Sequence, residues 1–191
     1  MRPIRILGSV SVACLLATGA MASSVLGLSI EDQARLSQLV VVGEVMSQKG
    51  VIHAQNGYET VVRLRVTDVL KGKVQEGQTL VFHTRSGEVD GVISEALGEA
   101  MLRTGQKYLV FIESVDGRLY NLGLSMGVWN VAEDGGGMRF TRALEDGLEV
   151  VGDVAPEHGP LSLPEMASRV SVAERQPAFD HPFLRENAGR R

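Results

Sequence analysis

Short stretches of β-branched and aromatic residues, separated by two-residue turn signals, occupy most of the chain from residue 39 to residue 142. Residues 62–66 show this pattern clearly, because valine and leucine alternate with polar side chains, as in an antiparallel strand with one buried face. Asn56-Gly57 and Asp116-Gly117 have the composition of tight hairpin turns. About six or seven short strands joined in this way predict a sandwich or a small barrel.

The first predicted strand starts as an apolar run at Leu39 and ends in alternation, so it is expected to be buried on both faces at its start. Gly43 within this run indicates a β-bulge or a close approach by another backbone segment. Residues 85–105 show no clear strand character, and residues 94–101 within them are compatible with one or two helical turns. Such a segment covers the open end of a barrel or carries a binding loop, and the sequence leaves both open. The predicted strands cover residues 39–46, 62–70, 79–84, 107–113, 118–122, 128–132 and 138–142.

Two short helices are predicted to flank the strands. Ser29 is the expected N-cap of the first, with Asp32 placed to reach back to its backbone N–H, and this helix should end near Ser37. Ser162 and Glu165 have the spacing of a capping box at the start of the second helix. The apolar stripe that would dock this second helix onto the domain consists of Leu163, Met166 and Val170.

The N-terminus has the three-part pattern of an export signal. Arg2 and Arg5 precede an apolar stretch that is shorter than the ~20 residues needed to span a bilayer, and cleavage is predicted after Ala22. The one cysteine of the chain, Cys14, lies inside this segment in a poor context for lipid attachment. The mature chain would then have no thiol and no disulfide. The protein is expected in the periplasm or outside the cell.

Net charge argues against nucleic-acid binding. The chain has 19 Lys and Arg and 23 Asp and Glu, and losing residues 1–22 removes two arginines and no acid, which leaves 17 against 23, or −6. The remaining length suits one domain with extensions. The predicted division is residues 1–22 as signal peptide, 23–38 as N-terminal helix and lead-in, 39–153 as barrel domain, 154–173 as linker and docking helix, and 174–191 as a disordered tail.

Residues 123–127, with the sequence GLSMG, match the Gly-x-Ser-x-Gly pattern of many serine hydrolases. In those enzymes a helix follows the serine directly, whereas residues 128–131 have strand-forming side chains. Ser125 is therefore interpreted as part of a turn shaped by Gly123 and Gly127, and a serine hydrolase is the disfavoured alternative. The histidines available to a triad lie in the linker or the tail. The partners that this alternative would use are Asp134, Asp146, Asp153, His158 and His181.

The remaining polar and aromatic candidates are interpreted as structural or solvent-exposed. The histidines lack the spacing of a metal site, and the acids of residues 85–105 match no calcium-binding loop and are expected to form a solvated face. Tyr108 and Trp129 are assigned to the core rather than to a recognition surface. No catalytic, cofactor-binding or metal-binding residue is predicted. The histidines are His53, His83, His158 and His181, and the acids are Glu88, Asp90, Glu95 and Glu99.

Several segments resemble a family of exported bacterial domains, namely LVVVGEV, RLRVTDVLKG, SGEVDG, RTGQKYLVFIE and YNLGLSMGVWNV. The resemblance covers residues 36–142, and LSLPEMASRV is a weaker match to a C-terminal helix. These domains are similar in layout to the netrin-like domain of tissue inhibitors of metalloproteinases, an OB-like five-stranded barrel, and some relatives are associated with matrixin-type metalloproteases. The true inhibitors chelate zinc through an N-terminal cysteine, which a mature chain that starts at Ser23 does not supply.

The expected fold is all-β with minor α: an OB-like antiparallel Greek-key barrel with short flanking helices. The expected function is that of an exported, non-enzymatic binding or accessory module of the bacterial envelope or secretome, with an extracytoplasmic protease as one candidate partner. Two alternatives are kept: an OB domain that binds glycans or other oligomers through Tyr108 or Trp129, and a serine hydrolase that uses Ser125. No cofactor, no nucleic acid and no membrane span after signal cleavage is expected.

Overall fold

A computed structural model describes residues 23–54, 57–142, 144–145 and 148–175 of the 191-residue chain. Neither helix in this part has the length and apolarity required to span a membrane. The sequence features that lie outside the described residues are the predicted signal peptide with Cys14, Asn56, Asp146, His181 and the predicted tail beyond residue 175.

Strands account for most of the described chain and two helices accompany them, so the predicted all-β fold with minor α content is confirmed. Strand β1 (Ser23–Leu26) and helix α1 (Ile30–Leu36) come first, and helix α2 (Leu163–Glu174) comes last. A 3₁₀ turn covers Leu124–Gly127, between the eighth and ninth strands. The strands between the helices are β2 (Leu39–His53), β3 (Gly57–Lys71), β4 (Thr79–Thr84), β5 (Gly87–Val89), β6 (Val92–Ser94), β7 (Lys107–Val115), β8 (Arg118–Asn121), β9 (Val128–Asp134), β10 (Gly137–Thr141), β11 (Leu148–Val151) and β12 (Leu161–Ser162).

Eight strands form one sheet in the order β12, β10, β9, β7, β2, β3, β4, β8. Its pairings are antiparallel, except that β8 pairs with β4 in parallel through the residue pair His83 and Tyr120. Strand β8 also pairs antiparallel with β7. Strands β1 and β11 form a separate parallel pair, and β5 and β6 form a separate hairpin.

The first half of strand β2 is buried on both faces, as its apolar run predicts. Val41 and Val45 belong to the first hydrophobic core, which contains side chains from β3, β4 and β7. Val40 and Val42 belong to the second core, which also contains Trp129 and residues of both helices. Each fully buried valine contributes about 1.5–3 kcal/mol relative to an exposed one, so both cores depend on this strand.

Gly43 allows strand β3 to lie unusually close to β2. A β-carbon at residue 43 would come within 2.6 Å of the carbonyl oxygen of Arg65 and 2.7 Å of the Leu64 side chain. The pairing of β2 with β3 also shifts register between Val42 and Gly43. The bulge and the close backbone approach predicted at Gly43 are therefore both present.

Both helices begin at the predicted caps. The Ser29 hydroxyl accepts a hydrogen bond from the backbone N–H of Asp32 at 3.1 Å. The Asp32 carboxylate accepts from the Ser29 hydroxyl at 2.8 Å, which differs from the predicted contact with the Ser29 backbone N–H. The capping box of Ser162 and Glu165 is complete.

Arg169 connects α2 to α1. Its guanidinium donates to both carboxylate oxygens of Glu31, at 2.6 and 2.9 Å, and it also contacts Glu157. The hydrogen bonds from Arg169 lower the pKa of Glu31. On the same helix, Met166 and Val170 of the predicted docking stripe are fully buried in the second core.

Residues 85–105, all of which belong to the described part of the chain, contain strands where none was predicted. They contain the hairpin of β5 and β6, and residues 94–101 form no helix. Strands of three residues are too short for an alternating pattern to be recognised in the sequence. Strand β1 is a second difference, because residues 23–38 were expected to contain only a helix and a lead-in.

Arg142 is a buried cation beside the second core. It is 4% exposed, and its guanidinium carbon lies 4.1 Å from the centroid of the Trp129 ring. Its Nε, Nη1 and Nη2 atoms have no hydrogen-bond partner in the described part of the chain. Burial lowers the pKa of Arg142 to about 10, an effect that Glu157 opposes. A buried cation without an acceptor destabilises the folded state.

Replacing Arg142 with methionine is expected to raise the free energy of unfolding by about 1 kcal/mol or more, because methionine keeps the contact with Trp129 without burying a charge. Urea denaturation measures this change. Arg139→Met, at an exposed position of β10, is the matched control and should stay within about 0.5 kcal/mol of the unaltered protein. A loss of stability in Arg142→Met would contradict the description of Arg142 as an unpaired cation.

Candidate functional site

The polar cleft lies where β3, β4 and β8 meet, on the face of these strands that points away from the first core. Its volume is about 390 Å³, and its walls include His53 at the end of β2 and Asp116 in the turn between β7 and β8. Side chains alternate between the two faces of a strand, so the neighbours of the cleft residues, such as Phe82, point into the first core. The other residues that line the polar cleft are Glu59, Arg85, Val115, Arg118 and Tyr120.

Glu59 is the centre of the network of polar contacts in the polar cleft and is 1% exposed. One carboxylate oxygen accepts a hydrogen bond from the Tyr120 hydroxyl at 2.7 Å, and the other lies 2.8 Å from Nη2 of Arg118. The same Nη2 lies 2.9 Å from Nδ1 of His83. A buried carboxylate requires such partners because removing it from water is costly. The network therefore connects β3, β4 and β8 where β4 and β8 pair.

Nδ1 of His83 lies 3.3 Å from a carboxylate oxygen of Glu59 as well as beside Arg118. Burial lowers the pKa of His83, the positive charge of Arg118 lowers it further, and Glu59 opposes both effects. The lowered pKa favours the neutral imidazole, whose Nδ1 can accept a hydrogen bond from Arg118 when the ring proton is on Nε2.

Arg85 covers the Tyr120 ring and joins the polar cleft to the segment that follows β4. Its guanidinium carbon lies 4.9 Å from the ring centroid, and its Nη2 lies 3.1 Å from the Glu113 carboxylate. The Arg85 backbone N–H donates to the Glu99 carboxylate at 2.7 Å, and the Asn121 side-chain amide donates to the same carboxylate at 2.6 Å. Buried polar contacts therefore fix the segment to the strands.

A second depression, which we name the loop groove, lies between residues 93–101 and the facing ends of β3 and β5. Its volume is about 340 Å³. Ile93, Leu97 and Met101 in its wall are 62%, 37% and 70% exposed. Apolar side chains exposed together in one segment are typical of protein-interaction surfaces. The facing wall is formed by Thr60, Ser86, Gly87 and Glu145.

Two glycines seat the β5–β6 hairpin against the sheet. A β-carbon at Gly50 would lie 1.8 Å from the carbonyl oxygen of Glu88, and one at Gly87 would lie 2.4 Å from that of Glu59. Distances this short exclude any side chain without a backbone shift. The backbone of the β5–β6 hairpin beside the loop groove is therefore in direct contact with β2 and β3.

Ser125 lies in the turn that was predicted for it. It is 1% exposed, its hydroxyl accepts a hydrogen bond from the backbone N–H of Glu145 at 3.2 Å, and strand β9 follows it directly. Gly123 has a φ angle of 61°, and a β-carbon at Gly127 would lie 2.1 Å from the carbonyl oxygen of Leu122. The glycine pattern therefore supplies turn geometry.

The residues considered as partners of Ser125 lie elsewhere. His158 places Nδ1 3.2 Å from the Arg142 carbonyl oxygen, and the Asp134 carboxylate accepts from the backbone of its own turn, at Gly136. Asp153 is exposed. Among the described residues, none of these candidates hydrogen-bonds to Ser125.

The histidines and loop acids divide between the polar cleft and the surface. His53 lines the cleft, and His83 adjoins it. Three of the four acids in residues 85–105 are exposed as predicted, but the prediction is wrong for Glu99, which is 6% exposed because its carboxylate accepts buried N–H groups. Within the described ranges, no group of three or more His, Cys, Asp or Glu residues is placed to hold a metal ion.

Tyr108 and Trp129 are core residues, as predicted, with exposed fractions of 3% and 0%. The Tyr108 hydroxyl accepts a hydrogen bond from the backbone N–H of Arg103 at 3.0 Å. Neither ring presents a face on which a ligand could stack.

Sequence reasoning did not identify the polar cleft, because Glu59, His83, Arg118 and Tyr120 come from three strands. Their alternating positions predict only that they point away from the first core. No pattern within these strands indicates that β4 and β8 are neighbours.

No protein-family model matches this chain, and no curated protein matches it significantly.

Replacing Glu59 with glutamine is expected to lower the free energy of unfolding by about 3 kcal/mol, because Arg118 loses its ion-pair partner in a buried network. Urea denaturation measures the loss. The control is Glu113→Gln, which breaks the more exposed pair with Arg85 and should cost less than about 1 kcal/mol. Equal losses of unfolding free energy in the two variants would show that Glu59 does not stabilise the fold more than Glu113 does.

His83 is expected to make stability depend on pH just below its usual pKa of 6.5. Between the lowered folded-state pKa and 6.5, the unfolded chain binds more protons than the folded chain. The free energy of unfolding is therefore highest above pH 6.5 and falls as the pH decreases through this window.

His83→Gln should lose this dependence. The lowered pKa of Glu31 acts in a separate range, below its usual value of 4.5, so it does not obscure the test. Urea denaturation between about pH 7.5 and pH 5 measures the slope. An unchanged slope in His83→Gln would assign the dependence to another group.

Proposed function

We propose that this protein is an exported, non-enzymatic binding module that holds another extracytoplasmic polypeptide on the surface of residues 92–101. The observation that carries the proposal is the exposure of Val92, Ile93, Leu97 and Met101 in one segment beside the loop groove. Contacts with the sheet already order this segment, so a partner does not have to supply that ordering free energy. Covering the apolar side chains contributes about 25 cal/mol per Å² removed from water.

An OB-like barrel with short flanking helices is the fold that we propose for the binding module. Support comes from the pairing of β7, β2, β3, β4 and β8 in succession, together with the pairing of β8 back to β7. The β4–β8 contact is a single residue pair, and the Glu59 network spans the same place. Barrels of this kind carry ligands on a strand face and in the loops beside it.

An extracytoplasmic metalloprotease is a candidate partner on the basis of the family resemblance. The netrin-like inhibitors act through an N-terminal cysteine, whereas the one cysteine of this chain is Cys14, inside the predicted signal peptide. A protease partner would therefore be held on the surface of residues 92–101 and not through zinc chelation. Export to the periplasm or the medium is proposed from the N-terminal sequence alone.

A glycan-binding or oligomer-binding OB domain is the second candidate, and the position of the polar cleft favours it. Ligands of OB domains lie across a strand face between two loops. The polar cleft lies between His53, at the end of β2, and Asp116, in the turn between β7 and β8. It ranks second because stacking needs an accessible ring, and Tyr120 in the cleft is 3% exposed.

Site-specific photo-crosslinking in the native host tests the first candidate. A photoreactive amino acid at position 93 or 101 of the full-length chain is expected to form an adduct with one discrete protein, because these side chains would face the partner. Val81 on β4, which is 39% exposed, is the matched control position and should give no adduct.

Absence of adducts from positions 93 and 101, or identical adducts from position 81, would contradict the proposal. Single positions are preferable to replacing the whole segment, because Glu99 within it and Leu102 directly after it are buried and support the fold.

A further inference from the structure

We infer that the loop groove takes an extended polypeptide segment that presents both apolar residues and lysine or arginine on the face turned towards the groove. This inference rests on the proposed binding function and specifies the chemistry of the partner. Three properties of the loop groove support it: an apolar wall, an unpaired strand edge and an excess of negative charge.

The apolar wall favours a partner with an apolar face. Ile93, Leu97 and Met101 are held in contact with water at the wall of a depression of about 340 Å³. Contact of these apolar side chains with water is unfavourable, and a partner that covers them removes the unfavourable contact. A groove admits individual side chains of a segment, which a flat surface does not.

Strand β6 provides an edge for an extended partner. Within the described chain, β6 pairs only with β5, so one side of its backbone has no strand neighbour there. An added strand would pair with this edge and direct alternate side chains towards the groove. Natural edge strands are usually protected by proline or charged residues, and Val92–Ser94 contains neither.

The charge of the loop groove selects a basic partner. Its lining includes Glu95, which is exposed, and Glu145, which is half-buried, and it contains no Lys, Arg or His among the described residues. A third lining acid, Glu99, already accepts hydrogen bonds from Arg85 and Asn121. The other two carboxylates form no ion pair in the described structure, so complementary charge in the partner would be positive.

The same charge argues against a second copy of this chain as the occupant. The chain has a net charge of −4 before any processing, so two copies repel each other at long range. Pairing of β6 with β6 of a second copy would also bring two acidic grooves together.

Anisotropy measurements with three labelled peptides and the full-length protein test this chemistry. One peptide of about eight residues places valine and lysine in turn at every second position, so that both face the groove, and the other two carry glutamate or serine in place of lysine. The lysine peptide is expected to bind roughly fivefold to tenfold more tightly than the serine peptide at low salt, and the glutamate peptide should bind most weakly. The preference for lysine should decrease as salt is added.

The double variant Glu95→Gln, Glu145→Gln is expected to bring the lysine and serine peptides to within about twofold of each other, because it removes only the groove charge. The matched control is Glu76→Gln, in the turn between β3 and β4 and outside the groove lining, which should keep the original preference. Circular dichroism checks that each variant is folded.

Equal binding of the lysine and serine peptides, tighter binding of the glutamate peptide, or an unchanged preference in the double variant would overturn the inference. If none of the peptides binds while position 93 still crosslinks to a protein, the inference is overturned and the proposed function stands. Loss of both signals in folded protein would overturn both.

Discussion

Strand β2 has to be covered on both faces, and this requirement shapes most of the molecule. Val41 and Val45 need one apolar layer, which the neighbouring strands supply, and Val40 and Val42 need another, which the helices and the outer strands supply. A sheet with one solvated face would leave half of this strand in water. Gly43 lets β3 approach the buried half of β2 closely, because it has no side chain.

The polar cleft and the loop groove lie on either side of one strand end. Glu59 and Thr60 are consecutive on β3, and the first lines the cleft while the second lines the groove. Arg85 serves both, because its guanidinium lies over Tyr120 in the cleft and its backbone N–H holds Glu99 beside the groove. The two surfaces therefore share one stretch of backbone, and a polar network on one side supports an apolar surface on the other.

The sequence predicted those features whose signal is contained in a few neighbouring residues. The alternation of residues 62–66, the capping box at Ser162 and the turn around Ser125 belong to this class, and all three are present. The meeting of His83 with Tyr120 depends on which strands become neighbours, and nothing within β4 or β8 specifies it. Strands β5 and β6 are too short for their periodicity to be recognised, so the loop groove could not be anticipated.

The ion pair of Arg169 with Glu31 joins residues that are 138 positions apart. During synthesis, helix α1 and residues Val40 and Val42 of β2 are made early. Helix α2, which packs in the same core, is made near the end of the described chain. A growing chain therefore exposes an unfinished apolar surface to chaperones and proteases until α2 emerges. If the protein is exported as proposed, the late synthesis of α2 would delay folding, so that the chain could pass through a translocation channel while it is still unfolded.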